Sequence, residues 1–151
     1  YHLTFRKDPF LQQVAYYYPY PQRPDFDHLL AAGRLLLDYD AFFPFCRSNS
    51  DAKTMRCDLQ RVEWERVTND NWTFHISADR FLRGMVRLIV GMCINVGTGQ
   101  LPLEDVRLAL DRQTRLEKAQ SAPPQGLFLT EVIYPYVNRR TEEHLPAGRQ
   151  G

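Results

Sequence analysis

Cysteine is scarce in this chain: Cys46, Cys57 and Cys93 are the only three, and they have no paired spacing. A structural zinc site needs four ligands, usually in close pairs, so the pattern excludes one. An odd, sparse set also speaks against a disulfide framework and suits a reducing compartment. The four histidines, His2, His28, His75 and His144, are scattered, so no metal constellation is visible. An excess of charge of one sign is missing too, since 19 Lys and Arg against 18 Asp and Glu leave a net charge of +1. Overall charge therefore does not announce a nucleic-acid binder, and any such footprint must come from local arginine clusters. Long apolar runs are lacking. The stretch from Met85 to Val96 is too short to cross a membrane and is interrupted by Arg87. There is no signal-like start and no internal repeat; the chain opens at Tyr1 in what reads as a strand already under way. These absences predict a cytoplasmic protein that binds neither metal nor membrane.

What is present is a globular composition, 44% apolar and 25% charged, over a length that suits one domain with its own core. Residues 1–6 read as a strand, broken by Lys7-Asp8-Pro9 because proline removes a donor. The aromatic, proline-rich "VAYYYPYPQRP" reads as a strand running into a loop. Asp25 is a plausible N-cap for a helix over Phe26 to Leu37. Residues 38–55 form a long polar loop of the kind that carries function. "CDLQRVEWERV" and "WTFHISA" predict an antiparallel hairpin around the turn Thr68 to Asn71. A helix over Phe81 to Val96 follows, capped by Asp79 and ended by Gly97. Pro102 opens a helix to about Asp111, with a second helical piece near Arg112 to Lys118. After the turn Ala122 to Gly126, "LFLTEVIY" predicts a closing strand. The order predicts an α+β fold with a largely antiparallel sheet and helices packed on one face.

The most informative stretch is "FLRGMVRLIVG", which sets the permanently charged Arg87 inside an apolar helical run. Burying an unpaired charge is costly, so an anion must lie close to such an arginine. Arg80, Arg83 and Arg87 share a stripe at i, i+3, i+7 spacing. Two readings fit: a core helix with a solvated basic face, or an arginine aimed into a cleft where it holds a carboxylate or phosphate.

"FLRGMVRLIVG", followed by "VGTGQL" and "APPQGLFLTEVIYP", resembles the C-terminal half of the TruA-type tRNA pseudouridine synthases. That family carries an F-x-x-x-M-V-R-x-I-V-G helix and a G-L-[YF]-L strand near its end. "RKDPFLQQ", "YPYP", "LLLDYDAFFPF" and "DAKTMRC" fit in the right order. The resemblance covers residues 1–137, leaving 138–151 as a loose polar tail. It implies a pseudouridine synthase fold and an isomerase that converts uridine to pseudouridine at positions 38 to 40 of the tRNA anticodon stem-loop. It further implies a homodimer that uses neither cofactor nor metal.

Residue by residue, the resemblance implies that Arg87 pairs with the catalytic aspartate and holds it ionised. The family carries that aspartate in an R-x-D segment of its N-terminal half, and no aspartate here has that context; Asp40 belongs to a [HY]-D-x-F loop. The chain as it stands is therefore expected to be inactive, and its open cleft edge to leave an apolar patch. The family's Y-x-Y pair lines the cleft, and Tyr1 aligns with its second tyrosine. The base-stacking residue is then either the one two before it or, with a shifted register, Tyr1. Leu127 corresponds to an apolar wall against the uracil; plain core packing is its competing role. Lys53 and Thr54 match a basic-Thr pair that, with Arg47, Arg56, Arg80 and Arg83, makes either a phosphate-tracking surface or an ordinary solvated one. The tyrosines at 16, 17, 18 and 20 read as half core and half interface rather than as a stacking platform. The alternative function is an RNA-binding domain that keeps the fold without the reaction.

Overall fold

Strict alternation is what builds the sheet. In the computed structural model, which describes residues 1–47 and 54–130, strands β3 (Leu59–Arg66) and β4 (Asn71–Ala78) form the expected antiparallel hairpin. Val62, Trp64, Trp72 and Phe74 are buried on one face, while Glu63, Glu65 and Ser77 face outward with His75 bonded to Glu65 at 2.9 Å. The Thr68 hydroxyl accepts the Asp70 and Asn71 amides at 3.3 and 3.1 Å, which explains why this polar run turns the chain. β1 (His2–Thr4) adds antiparallel to β4, and β2 (Tyr16–Tyr17) adds parallel to β1. The order is β2-β1-β4-β3, a mixed sheet in which the β1/β2 pair is the parallel one.

Helix α1 (Phe26–Leu35) starts where the sequence predicts, with the Asp25 carboxylate accepting the His28 amide at 3.0 Å. Its buried Leu29, Ala32 and Leu35 face the interior, and Gly33 lies against Trp64, Val62 and Phe74 of the sheet's inner face. α2 (Met85–Gly97) is the central helix, and only Val86 and Arg87 among its 13 residues escape full burial. Each large apolar side chain removed from water there contributes roughly 1.5–3 kcal/mol. α3 (Leu103–Arg112) buries Val106, Ala109 and Leu110 at i, i+3, i+4 spacing.

Several expectations need correction. α2 begins at Met85, not Phe81, because Gly84 takes a left-handed φ of 71° and breaks the helical path. Asp79 does not cap it; its carboxylate accepts the Asp58 amide at 2.7 Å instead. Arg80 and Arg83 are therefore off the helix, and the helical stripe with Arg87 does not form. The second helical piece near Arg112 to Lys118 is absent, since Gln113 and Lys118 both have positive φ, 51° and 59°. Leu127 to Thr130 form no strand with the described residues, and the rest of the expected closing strand, from Glu131 on, lies outside the described residues together with the tail.

Candidate functional site

Arg87 sits in the first turn of α2, half-buried, on the side of the helix the core leaves open. Its Nε donates to the Ala122 carbonyl at 2.7 Å, and the Ala122 amide donates to the Arg87 carbonyl at 2.9 Å. The two residues thus clasp each other reciprocally. The segment can come this close because Gly91 lies one turn further on: a Cβ there would stand 1.8 Å from the Gln120 carbonyl oxygen. With Nε committed, the two terminal guanidinium nitrogens of Arg87 have no partner among the described residues, and no carboxylate there pairs with it. That geometry leaves an end-on fork of the kind that takes a carboxylate or phosphate through two parallel bonds.

Tyr1 meets the same segment. Its hydroxyl donates to the Pro123 carbonyl at 2.6 Å, the carbonyl next to the one Arg87 uses. Its ring rests on Gly126, where a Cβ would fall 2.8 Å from the ring carbon bearing the hydroxyl. Burial pushes the Tyr1 phenol well above its usual range and neighbouring Tyr16 adds to this, while the Arg87 charge pulls the other way. Tyr1 is 6% exposed, so here it holds the 122–126 segment and offers no open face for stacking. Leu127 follows the 3-10 turn Pro124–Gly126 in extended conformation and is 39% exposed. It opens a short exposed apolar run with Phe128 and Leu129; Phe128 also leans on the His2 ring, 5.6 Å away.

A second group gathers just before α2. Arg80 donates to the Thr54 carbonyl at 3.2 Å, and the Arg47 amide donates to the Arg83 carbonyl at 2.9 Å. The Thr54 hydroxyl accepts the Arg56 amide at 3.1 Å. Arg47, Thr54, Arg56, Arg80 and Arg83 are all exposed, so their polar groups face solvent. Lys53 lies outside the described residues. The predicted site residues thus form two sets, Tyr1–Arg87–Leu127 and Thr54–Arg80–Arg83. In sequence they flank the start of α2, with Arg83 just ahead of the helix and Arg87 in its first turn.

Sequence reasoning missed Ala122 and Gly91 as members of this arrangement. The available signal was a glycine in the middle of a helix that is otherwise apolar, which marks close approach of another backbone. Among the described residues no group of three or more His, Cys, Asp or Glu is placed to hold a metal ion. All three cysteines are buried, and burial pushes the Cys93 thiol up to about 12. No helix among the described residues is long and apolar enough to cross a membrane.

Comparison with known proteins bears on the same segments. The sequence pattern of the family described as "tRNA pseudouridine synthase" matches residues 37–135, which include Arg87, Ala122 and Leu127. The tRNA pseudouridine synthase A of Parabacteroides distasonis is 39% identical over 135 residues, covering 89% of this chain and 52% of that protein. The same-named protein of Bacteroides fragilis is 39% identical over 135 residues, covering 89% of this chain and 53% of its own. That of Caldicellulosiruptor bescii is 34% identical over 126 residues, 82% of this chain and 50% of its own. The chain therefore spans about half the length of the curated relatives it matches. A family match over about two thirds of the sequence, across the clasp and the basic group alike, means that this chain belongs to the tRNA pseudouridine synthase family.

Proposed function

We propose that the chain is the C-terminal half of an enzyme that isomerises uridine to pseudouridine in tRNA, at positions 38 to 40 of the anticodon stem-loop. The observation that carries this is that Arg87 and Tyr1 hold the adjacent carbonyls of Ala122 and Pro123, just ahead of Leu127, with the end-on fork of Arg87 unengaged among the described residues. In this reading the fork receives the catalytic aspartate, which belongs to the other half of such an enzyme. An adjacent guanidinium keeps that carboxylate ionised and fixes its orientation.

The reaction breaks the bond from N1 of uracil to the ribose, turns the base and joins C5 to the same ribose carbon; C5 then gives up its proton and N1 takes one up, so the isomerisation balances. The target nucleotide has to leave its stack to reach the carboxylate. Leu127 supplies the apolar wall against the turning base. Tyr1 acts through the Pro123 carbonyl and keeps that wall in place. Thr54, Arg80 and Arg83, with Lys53 beside them in sequence, meet backbone phosphates and position the stem without reading its sequence. The enzyme works in the cytoplasm as a homodimer, without cofactor or metal.

The test is conversion of uridine in a tRNA transcript, read by nucleoside chromatography. The chain is assayed alone and joined to an amino-terminal half of the family. Conversion is expected only in the joined protein, and Arg87→Ala is expected to lower it by about 100-fold or more, the scale for losing a fixed charge-stabilising group. Undiminished conversion by a folded Arg87→Ala variant would sink the assignment of Arg87. A joined protein that binds tRNA without converting it would favour the non-catalytic RNA-binding reading.

A further inference from the structure

Gln113 ends α3 in the left-handed region, φ 51° and ψ 54°, which a residue with a Cβ enters at a cost. Its half-buried amide makes three bonds to main chain. Oε1 accepts the Phe43 amide at 2.9 Å, and Nε2 donates to the Ala41 and Leu110 carbonyls at 2.8 and 2.7 Å. One N–H on one side and two carbonyls on the other fix which atom is oxygen and which nitrogen. Two residues either way, the same alignment is reinforced. The Tyr39 hydroxyl donates to Asp111 at 2.5 Å, and Arg115 donates to the Cys46 carbonyl at 2.8 Å with its guanidinium 5.0 Å above the Phe43 ring. The stem over residues 39–46 is thus laid along residues 111–115 by polar ties at three levels.

That stem leads straight into the basic group. It ladders with its opposite side through Phe42 N–H to Met55 O at 2.9 Å, Cys57 N–H to Asp40 O at 3.0 Å and the Ala41–Arg56 bridge. Its next residue is Arg47, bonded to Arg83, and the opposite side begins at Thr54, bonded to Arg80. We propose that Gln113 is a positioning residue for RNA binding: from outside the basic group, it sets where Arg47, Thr54, Arg80 and Arg83 stand relative to one another. The inference rests on the tRNA reading above and goes beyond it by assigning a residue that touches neither the reacting base nor a phosphate.

The test uses the whole chain and a fluorescein-labelled anticodon stem-loop RNA, with binding read by anisotropy over a range of salt. In Gln113→Gly the left-handed backbone is kept without strain and all three ties are lost. Affinity, corrected for the folded fraction, is expected to fall about 10-fold at low salt, with the salt dependence of log K shallower by the equivalent of about one phosphate. If Gln113→Gly lowers the urea midpoint but binds RNA with unchanged affinity and slope, the residue is merely structural and the inference is overturned. Should that variant not fold, Gln113→Glu keeps the acceptor for Phe43 and loses both donors, and the same loss of affinity and slope is expected of it. Failure of the unsubstituted chain to bind would instead count against the tRNA reading itself.

Discussion

Gly91→Ala sets two effects of opposite sign against each other, so its outcome is diagnostic. On helix propensity alone, alanine in the interior of α2 stabilises by about 1 kcal/mol. The position does not allow it. The new Cβ would stand 1.8 Å from the Gln120 carbonyl oxygen, and that neighbour is backbone, which cannot swing aside like a side-chain tip. The 120–123 segment has to withdraw, and both bonds of the clasp go with it. The bond from the charged Arg87 Nε is worth about 1.5–3 kcal/mol and the neutral one from the Ala122 amide about 0.5–1.5 kcal/mol. Net of the propensity gain, the loss is about 1–3.5 kcal/mol. For a chain of this size that lowers Tm by roughly 2–14 °C. Thermal and urea unfolding followed by circular dichroism measure it directly. A Gly91→Ala variant as stable as the parent would refute the close approach, and with it the account of how Arg87 is aimed.

Two further outcomes follow from other parts of the molecule. Replacing Arg80 and Arg83 together by alanine is expected to make log K for a tRNA stem-loop less salt-dependent, by about one unit of slope for each phosphate no longer neutralised. Equal weakening on related and scrambled stems is expected, and an unchanged slope would remove both residues from the RNA surface. The Asp25 carboxylate is held below its usual value of 3.8, first by the His28 backbone N–H it accepts. A depressed carboxylate contributes stability above its unfolded pKa and loses it as pH falls through the folded one. The stability gap between the parent and Asp25→Ala should therefore be full near neutrality and close as pH drops well below 3.8. A gap that persists undiminished in acid would mean that Asp25 acts through something other than its charge-assisted cap.

What the sequence made legible was local. The hairpin was readable because Val62, Trp64, Trp72 and Phe74 alternate and Thr68 supplies a turn hydroxyl within three residues of its partner. α1 was readable from Asp25, whose cap is likewise short-range. The misses share a cause. Gly84 and Gln113 both take left-handed φ, and at each the chain leaves the helical path that residue periodicity alone continues. The parallel pairing of β2 with β1 is set by tertiary contacts, which no window of sequence contains. Arg80 and Arg83 do not share a helical face with Arg87, yet Arg80 still reaches Thr54 because a loop joint brings them there. For the site, Arg87 was visible as a buried charge, whereas the carbonyls of Ala122 and Pro123 that receive Arg87 and Tyr1 carry no side-chain signature.

Both bonds of the Arg87–Ala122 clasp involve main-chain atoms of residue 122, and Tyr1 likewise asks only for the carbonyl of residue 123. What the clasp requires of position 122 is a small volume, since Ala122 is 4% exposed, and not any particular chemistry. Selection on the aim of the guanidinium then bears less on the residues it touches than on two that have nothing to touch with, Gly91 and Gly126. In lineages that keep the clasp, drift should be freest at the contact and tightest at those two empty spaces.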